Sequence, residues 1–265
     1  MAELENNLKE ADKAQDVSPA APNLSPAKGK DLLIYLFGGV GLYFLASMAL
    51  GASIEEINLT TTLMISLLNF VCLAGSVVIF GILRNKISWQ SMGIFPQQKI
   101  LRYAMIGGGL AFAIIPIRLL VGALGLWVEN LIFGDLRSLN FREDILSVGT
   151  DSWYGVILMV IGVGILAPVA EELFFRGLIY DWFRQKTGVV WGIMLSSLLF
   201  ALAHYDSLAV VGSSFVMGLA MAFAVEKTRS LWIAIFMHVA TNSGAVILMA
   251  LVMKFQDLLP PTLQY

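Results

Sequence analysis

The chain has 265 residues, of which 58% are hydrophobic and 14% charged, and its mean hydropathy is +0.78. Apolar content this high with so little charge excludes a soluble domain and indicates an all-α polytopic membrane protein. A formal net charge of −2 gives no reason to expect nucleic acid as a partner, and a single cysteine, Cys72, rules out an intramolecular disulfide.

Residues 1–30 mix acids, Lys and Asn and then run into Ser18-Pro19 and Ser25-Pro26, a composition that cannot bury a core and reads as a disordered cytoplasmic tail. A transmembrane domain is expected over 31–256. Apolar runs long enough to span follow at Leu32–Leu50, Leu59–Leu83, Leu101–Val128, Trp153–Phe183, Val189–Tyr205, Leu208–Val225 and Leu231–Met253. The third, taken on to Phe133, is long enough to hold a kink or a short extra element, and the fourth exceeds one span and contains Pro168, so the expected count is about seven or eight helices. Lys28 and Lys30, Arg84 and Lys86, Arg184 and Lys186, and Lys227 and Arg229 lie at alternate connections, which places the N-terminus in the cytoplasm by the positive-inside rule.

The fourth run carries charge where lipid would be expected. Glu171, Glu172 and Arg176 lie inside an otherwise apolar stretch, and ionisable groups at membrane depth mark a functional site by default. Glu172 and Arg176 are four apart with the acid first, the favourable order for an ion pair on one helix face. Glu171 points about 100° away and has no partner on its own helix, the situation of a carboxylate available for general acid or base work.

The chain has only two histidines, His204 and His238, both in apolar runs. At about 1.5 Å per helical residue, Glu171 counted from Arg184 and His204 counted from Val189 each lie about 20 Å from the basic ends. His238 and Asn242, on one face of the last run, reach about 14 and 20 Å by the same measure. Three helices therefore bring polar groups to a similar depth. Arg118, in the third run, reads as a residue that pairs with a neighbouring helix or snorkels, and Gly107-Gly108-Gly109 as a site of close helix packing.

Glu171 to Arg176 reads as E-E-x-x-x-R, Phe200 to His204 as F-x-x-x-H and His238 to Asn242 as H-x-x-x-N. In this order on successive apolar helices they resemble the CAAX-processing and bacteriocin-processing (CPBP, Abi) family of intramembrane endopeptidases, to which the Ras-converting prenyl proteases belong. The resemblance covers a core of about 153–253. It implies an integral protein of a bacterial or archaeal membrane that hydrolyses a peptide bond in a peptide or protein substrate, lipidated or not, with lipids as neighbours. Residue by residue, it implies that Glu171 activates a water, that His204 helps to hold it, that Asn242 with His238 stabilises the oxyanion, and that Glu172 and Arg176 support them. The expected mechanism uses no cofactor. Two histidines and a carboxylate are also a zinc ligand set, so a zinc hydrolase is an alternative, although no H-E-x-x-H is present. A further alternative is a non-enzymatic protein of the bacteriocin-immunity or partner-binding type, since some proteins resembling this family are tied to self-immunity.

Overall fold

The computed structural model describes residues 24–52, 56–94, 99–134 and 145–255, and among these it is helical with no strand. Eight apolar helices follow one another: α1 Gly29–Gly51, α2 Leu59–Ile82, α3 Ile100–Ala113, α4 Ile115–Phe133, α5 Trp153–Thr187, α6 Val189–Leu202, α7 Leu208–Thr228 and α8 Leu231–Lys254. Six of them are long and apolar enough to cross a membrane, and α3 and α6 are shorter.

Helix boundaries follow local chemistry. The side chains of Asn58, Ser152 and Ser207 accept hydrogen bonds from the first-turn amides of α2, α5 and α7, which would otherwise be unsatisfied. At the far ends, Gly134 (φ 68°) and Gly188 (φ 81°) close α4 and α5 at backbone angles that disfavour a side chain. The single long run expected over Leu101–Val128 is two helices. Pro116 lacks the amide that would continue the ladder and instead occupies the first turn of α4, so the chain breaks at Ile114. Across this break the two halves take different partners, α3 packing on α8 and α4 on α7. A β-carbon at Gly107 would come within 2.9 Å of Ile233 O, the close packing expected of the glycine run, whereas Gly108 and Gly109 face open space; one at Gly125 would lie 2.5 Å from Ala209 Cα.

Residues 1–23 lie outside the described residues, as do 135–144 in the connection between α4 and α5. Residues 25–28 lie against the protein, in contrast to the free tail expected to extend to residue 30. Ser25 N donates to Asn85 O at 2.7 Å, Lys86 Nζ to Pro26 O at 2.8 Å and Trp182 Nε1 to Lys28 O at 2.8 Å. Asp31, fully buried, draws this stretch inward by pairing with Arg84 at 3.2 Å and Lys86 at 3.1 Å. The basic residues of that connection thus have a structural partner that composition alone does not reveal.

The core centres on α5. Phe174, Phe175, Leu178 and Ile179 meet Phe200 from α6, Met221 from α7 and Ile233 and Met237 from α8. The outward faces of α1, α4 and α6 carry exposed Leu, Ile, Phe and Trp side chains, including Phe37, Leu120, Trp127 and Trp191. An apolar surface of this extent suits contact with lipid acyl chains.

Within α5, wider π-type turns at Val160–Leu166 and Leu173–Ile179 flank the α-helical segment Ala167–Glu172. Pro168 accounts for part of this, because it has no amide to give to the carbonyl of Gly164. The carbonyl is taken up from outside the helix. Ser243 Oγ donates to Gly164 O at 3.2 Å, and Asn242 Nδ2 donates to Val163 O at 3.3 Å. A backbone irregularity in α5 therefore becomes the docking point for α8, next to the acidic pair.

Candidate active site

Glu171 and Glu172 leave α5 in different directions, as their helical spacing dictates. Glu172 is fully buried, and its Oε1 accepts from Arg176 Nη1 at 2.9 Å, the intrahelical pair expected from the sequence. The same oxygen lies 2.8 Å from His238 Nδ1 on α8. A carboxylate accepts only, so Nδ1 carries the proton of this contact and Nε2 is the ring nitrogen left to face away from Glu172. The Arg176 guanidinium also lies over the Phe200 ring, 4.2 Å from its centroid. The same ring meets His204 at 4.8 Å and His238 at 5.6 Å edge to face. Phe200 thus fixes the positions of one guanidinium and two imidazoles at once.

His204 lies just beyond the end of α6, in the turn before α7. Its Nδ1 is 2.9 Å from Phe200 O. A carbonyl can only accept, so the proton is on Nδ1 and the Nε2 lone pair faces outward. That lone pair points toward Glu171, with Nε2 3.9 Å from Oε2. His238 Nε2 lies 3.8 Å from the same oxygen. The carboxylate and the two histidines that share a depth in the sequence therefore converge on one oxygen atom. Oε2 is buried and has no hydrogen-bond partner among the described residues. The pairs are too far apart for direct hydrogen bonds and close enough for one small polar species to touch all three.

The other oxygen of Glu171 is engaged by a residue that the sequence motifs do not include. Asn69, on α2, donates from Nδ2 to Glu171 Oε1 at 3.4 Å. Asn242 is on the expected helix and face, one turn beyond His238, but its described contact is with Val163 O and not with the carboxylate. Arg118 bonds Ser213 Oγ on α7 through Nε at 3.1 Å, the neighbouring-helix contact expected of it. Among the described residues, no group of three or more His, Cys, Asp or Glu is arranged as a set of metal ligands.

This geometry combines a buried carboxylate oxygen, two ring nitrogens and an ion-paired second carboxylate, with the His204 side chain 22% and the Glu171 side chain 13% exposed. Such groups can hold a water, take a proton from it and donate to a developing negative charge.

Comparison with known proteins bears on the same half of the chain. Residues 153–244 match the family model described as Rce1-like, type II CAAX prenyl endopeptidase. The chain is 31% identical over 121 residues to "Putative membrane peptidase YdiL" of Bacillus subtilis (strain 168), covering 46% of this chain and 48% of that protein. It is 35% identical over 94 residues to "Uncharacterized 24.3 kDa protein" of Escherichia coli, covering 34% of this chain and 43% of that one. The alignments thus span about half the length of these curated relatives or less. No solved structure matches.

Proposed function

We propose that this chain, whose residues 153–244 match the family model described as Rce1-like, type II CAAX prenyl endopeptidase, is an intramembrane endopeptidase that uses a glutamate-activated water. The observation that carries this reading is the buried Oε2 of Glu171, unpartnered among the described residues and 3.9 and 3.8 Å from the Nε2 atoms of His204 and His238. A water at that point gives one proton to Glu171 and directs its second toward the lone pair of His204. Its oxygen attacks the scissile carbonyl carbon. The carbonyl oxygen becomes an oxyanion that accepts from the second amide N–H of Asn242, whose first is committed to Val163 O, and from His238 Nε2. His238 Nε2 donates in the doubly protonated imidazolium, because the Nδ1 proton is given to Glu172. Glu171 then passes its proton to the leaving nitrogen as the C–N bond breaks, so that one water is consumed and the carboxylate is restored.

Glu172 and Arg176 support this chemistry by orienting His238. The substrate is a peptide or protein brought to membrane depth, and the reaction uses no metal. Under the positive-inside rule the N-terminus and the basic helix ends are cytoplasmic.

The test is cleavage of a pooled peptide library, plain and prenylated, by detergent-purified protein, comparing wild type with Glu171→Gln, each with and without a zinc chelator. Cleavage that survives the chelator and disappears in the variant is expected. A folded Glu171→Gln protein that cleaves like wild type refutes the assignment, and loss in chelator favours the zinc hydrolase. A folded wild type that cleaves no member of the library favours a binding or immunity role.

A further inference from the structure

We infer that Asn69, on α2 and outside the family-matched segment, is the positioning residue that presents Glu171 to the reacting water. The inference rests on the proposed peptidase reading. Asn69 is buried in α2, whose other polar side chains are the hydroxyls of Thr and Ser, and its Nδ2 donates to Glu171 Oε1 at 3.4 Å. A buried amide has to be hydrogen-bonded to offset its lost hydration. Here its Nδ2 serves the Glu171 carboxylate, and Tyr43 on α1 is a second polar neighbour of the same amide.

The orientation of the amide follows from chemistry. An ionised carboxylate offers only acceptors, so the NH2 end must face it and Oδ1 must face away. Oδ1 is buried and unpartnered among the described residues. The two carboxylate oxygens divide the work: Oε1 is tied to α2, and Oε2 is turned toward His204 and His238. Without the tie, the carboxyl group can rotate about its terminal bond, a soft torsion, and Oε2 loses its fixed relation to the imidazoles. Nothing else described on the α2 side of Glu171 hydrogen-bonds to this carboxylate.

Asn69→Leu removes the donor at similar volume, and Asn69→Asp replaces it with a second acid. With wild type cleaving and Glu171→Gln inactive, Asn69→Leu is expected to lower kcat about 10- to 100-fold with KM within about twofold, as for a misplacement of about 1 Å at a reacting centre. Asn69→Asp is expected to be impaired at neutral pH and to recover as pH is lowered to where the two acids share one proton, because the introduced carboxylic acid then donates to Glu171 as the amide did. A residue that merely packs would not give that pH profile. Wild-type kcat in both folded variants, or loss in Asn69→Asp with no pH-dependent recovery, overturns the inference and leaves the peptidase reading intact. A folded wild type with no cleavage overturns both. Should Asn69→Leu fail to fold, the pH profile of Asn69→Asp decides alone.

Discussion

Removing the Arg176 guanidinium while keeping its volume, as in Arg176→Met, tests whether the charge network under the site is structural. Both members of the Glu172–Arg176 pair have fully buried side chains. Breaking a buried pair by deleting one partner costs about 3–5 kcal/mol, because the other charge is left uncompensated. His238 Nδ1, at 2.8 Å from the same Glu172 oxygen, retains a charge-assisted bond worth about 1.5–3 kcal/mol, which places the net loss near the lower end, about 3 kcal/mol. That corresponds to roughly a hundredfold shift in the unfolding equilibrium. The assay is reversible unfolding in mixed micelles, followed by tryptophan fluorescence. Adding Glu172→Gln to Arg176→Met removes the stranded charge but keeps an acceptor for His238, so the double variant should regain about half of the loss. An Arg176→Met protein as stable as wild type, or a double variant no more stable than the single one, would refute the reasoning.

Ser243→Ala removes the donor that Gly164 O accepts from α8, and should cost about 1–2 kcal/mol in the same unfolding assay. Gly125→Ala places a methyl against the backbone of Ala209, where no side chain can move aside. It should destabilise the α4–α7 contact by about 1–3 kcal/mol, read as a lower midpoint of thermal unfolding.

Much of this arrangement is legible in the order and spacing of a few residues. The i, i+4 relation of Glu172 and Arg176 predicts their contact, and counting residues from the basic helix ends predicts that Glu171, His204 and His238 meet. Both are local properties converted to distance by the fixed rise of a helix. Asn69 belongs to none of the motifs, yet the same count finds it: measured from Arg84, it lies about 22 Å along α2, level with Glu171. A neutral amide in an apolar run draws less notice than a charge, although it too needs a partner there.

The contacts of Asn242 and Ser243 with α5 are different in kind. They depend on which carbonyls Pro168 frees and on the register in which α8 docks, and spacing within one helix carries no information about either. The break at Ile114 lies between these cases. Pro116 announces it, but the divergence of α3 toward α8 and α4 toward α7 is set by packing. The burial of Asp31 against Arg84 and Lys86 was hidden for a similar reason, since basic residues at a helix end look the same whether they face water or a buried acid.

The chain order of the polar cluster bears on how it enters a bilayer. α5 is made before α8, so Glu172 must pass into lipid while His238 is still to be synthesised. Its partner on the same helix, Arg176, travels with it, and a carboxylate and a guanidinium one turn apart cross the apolar barrier as a neutral pair at far lower cost than either alone. Asn69 is already in place on α2 to receive Glu171. His204 follows with the turn after α6, and His238 arrives last. The ion pair that orients an imidazole in the finished protein thus also lowers the cost of bringing α5 into lipid, and the carboxylate–imidazole cluster is complete only when α8 has docked.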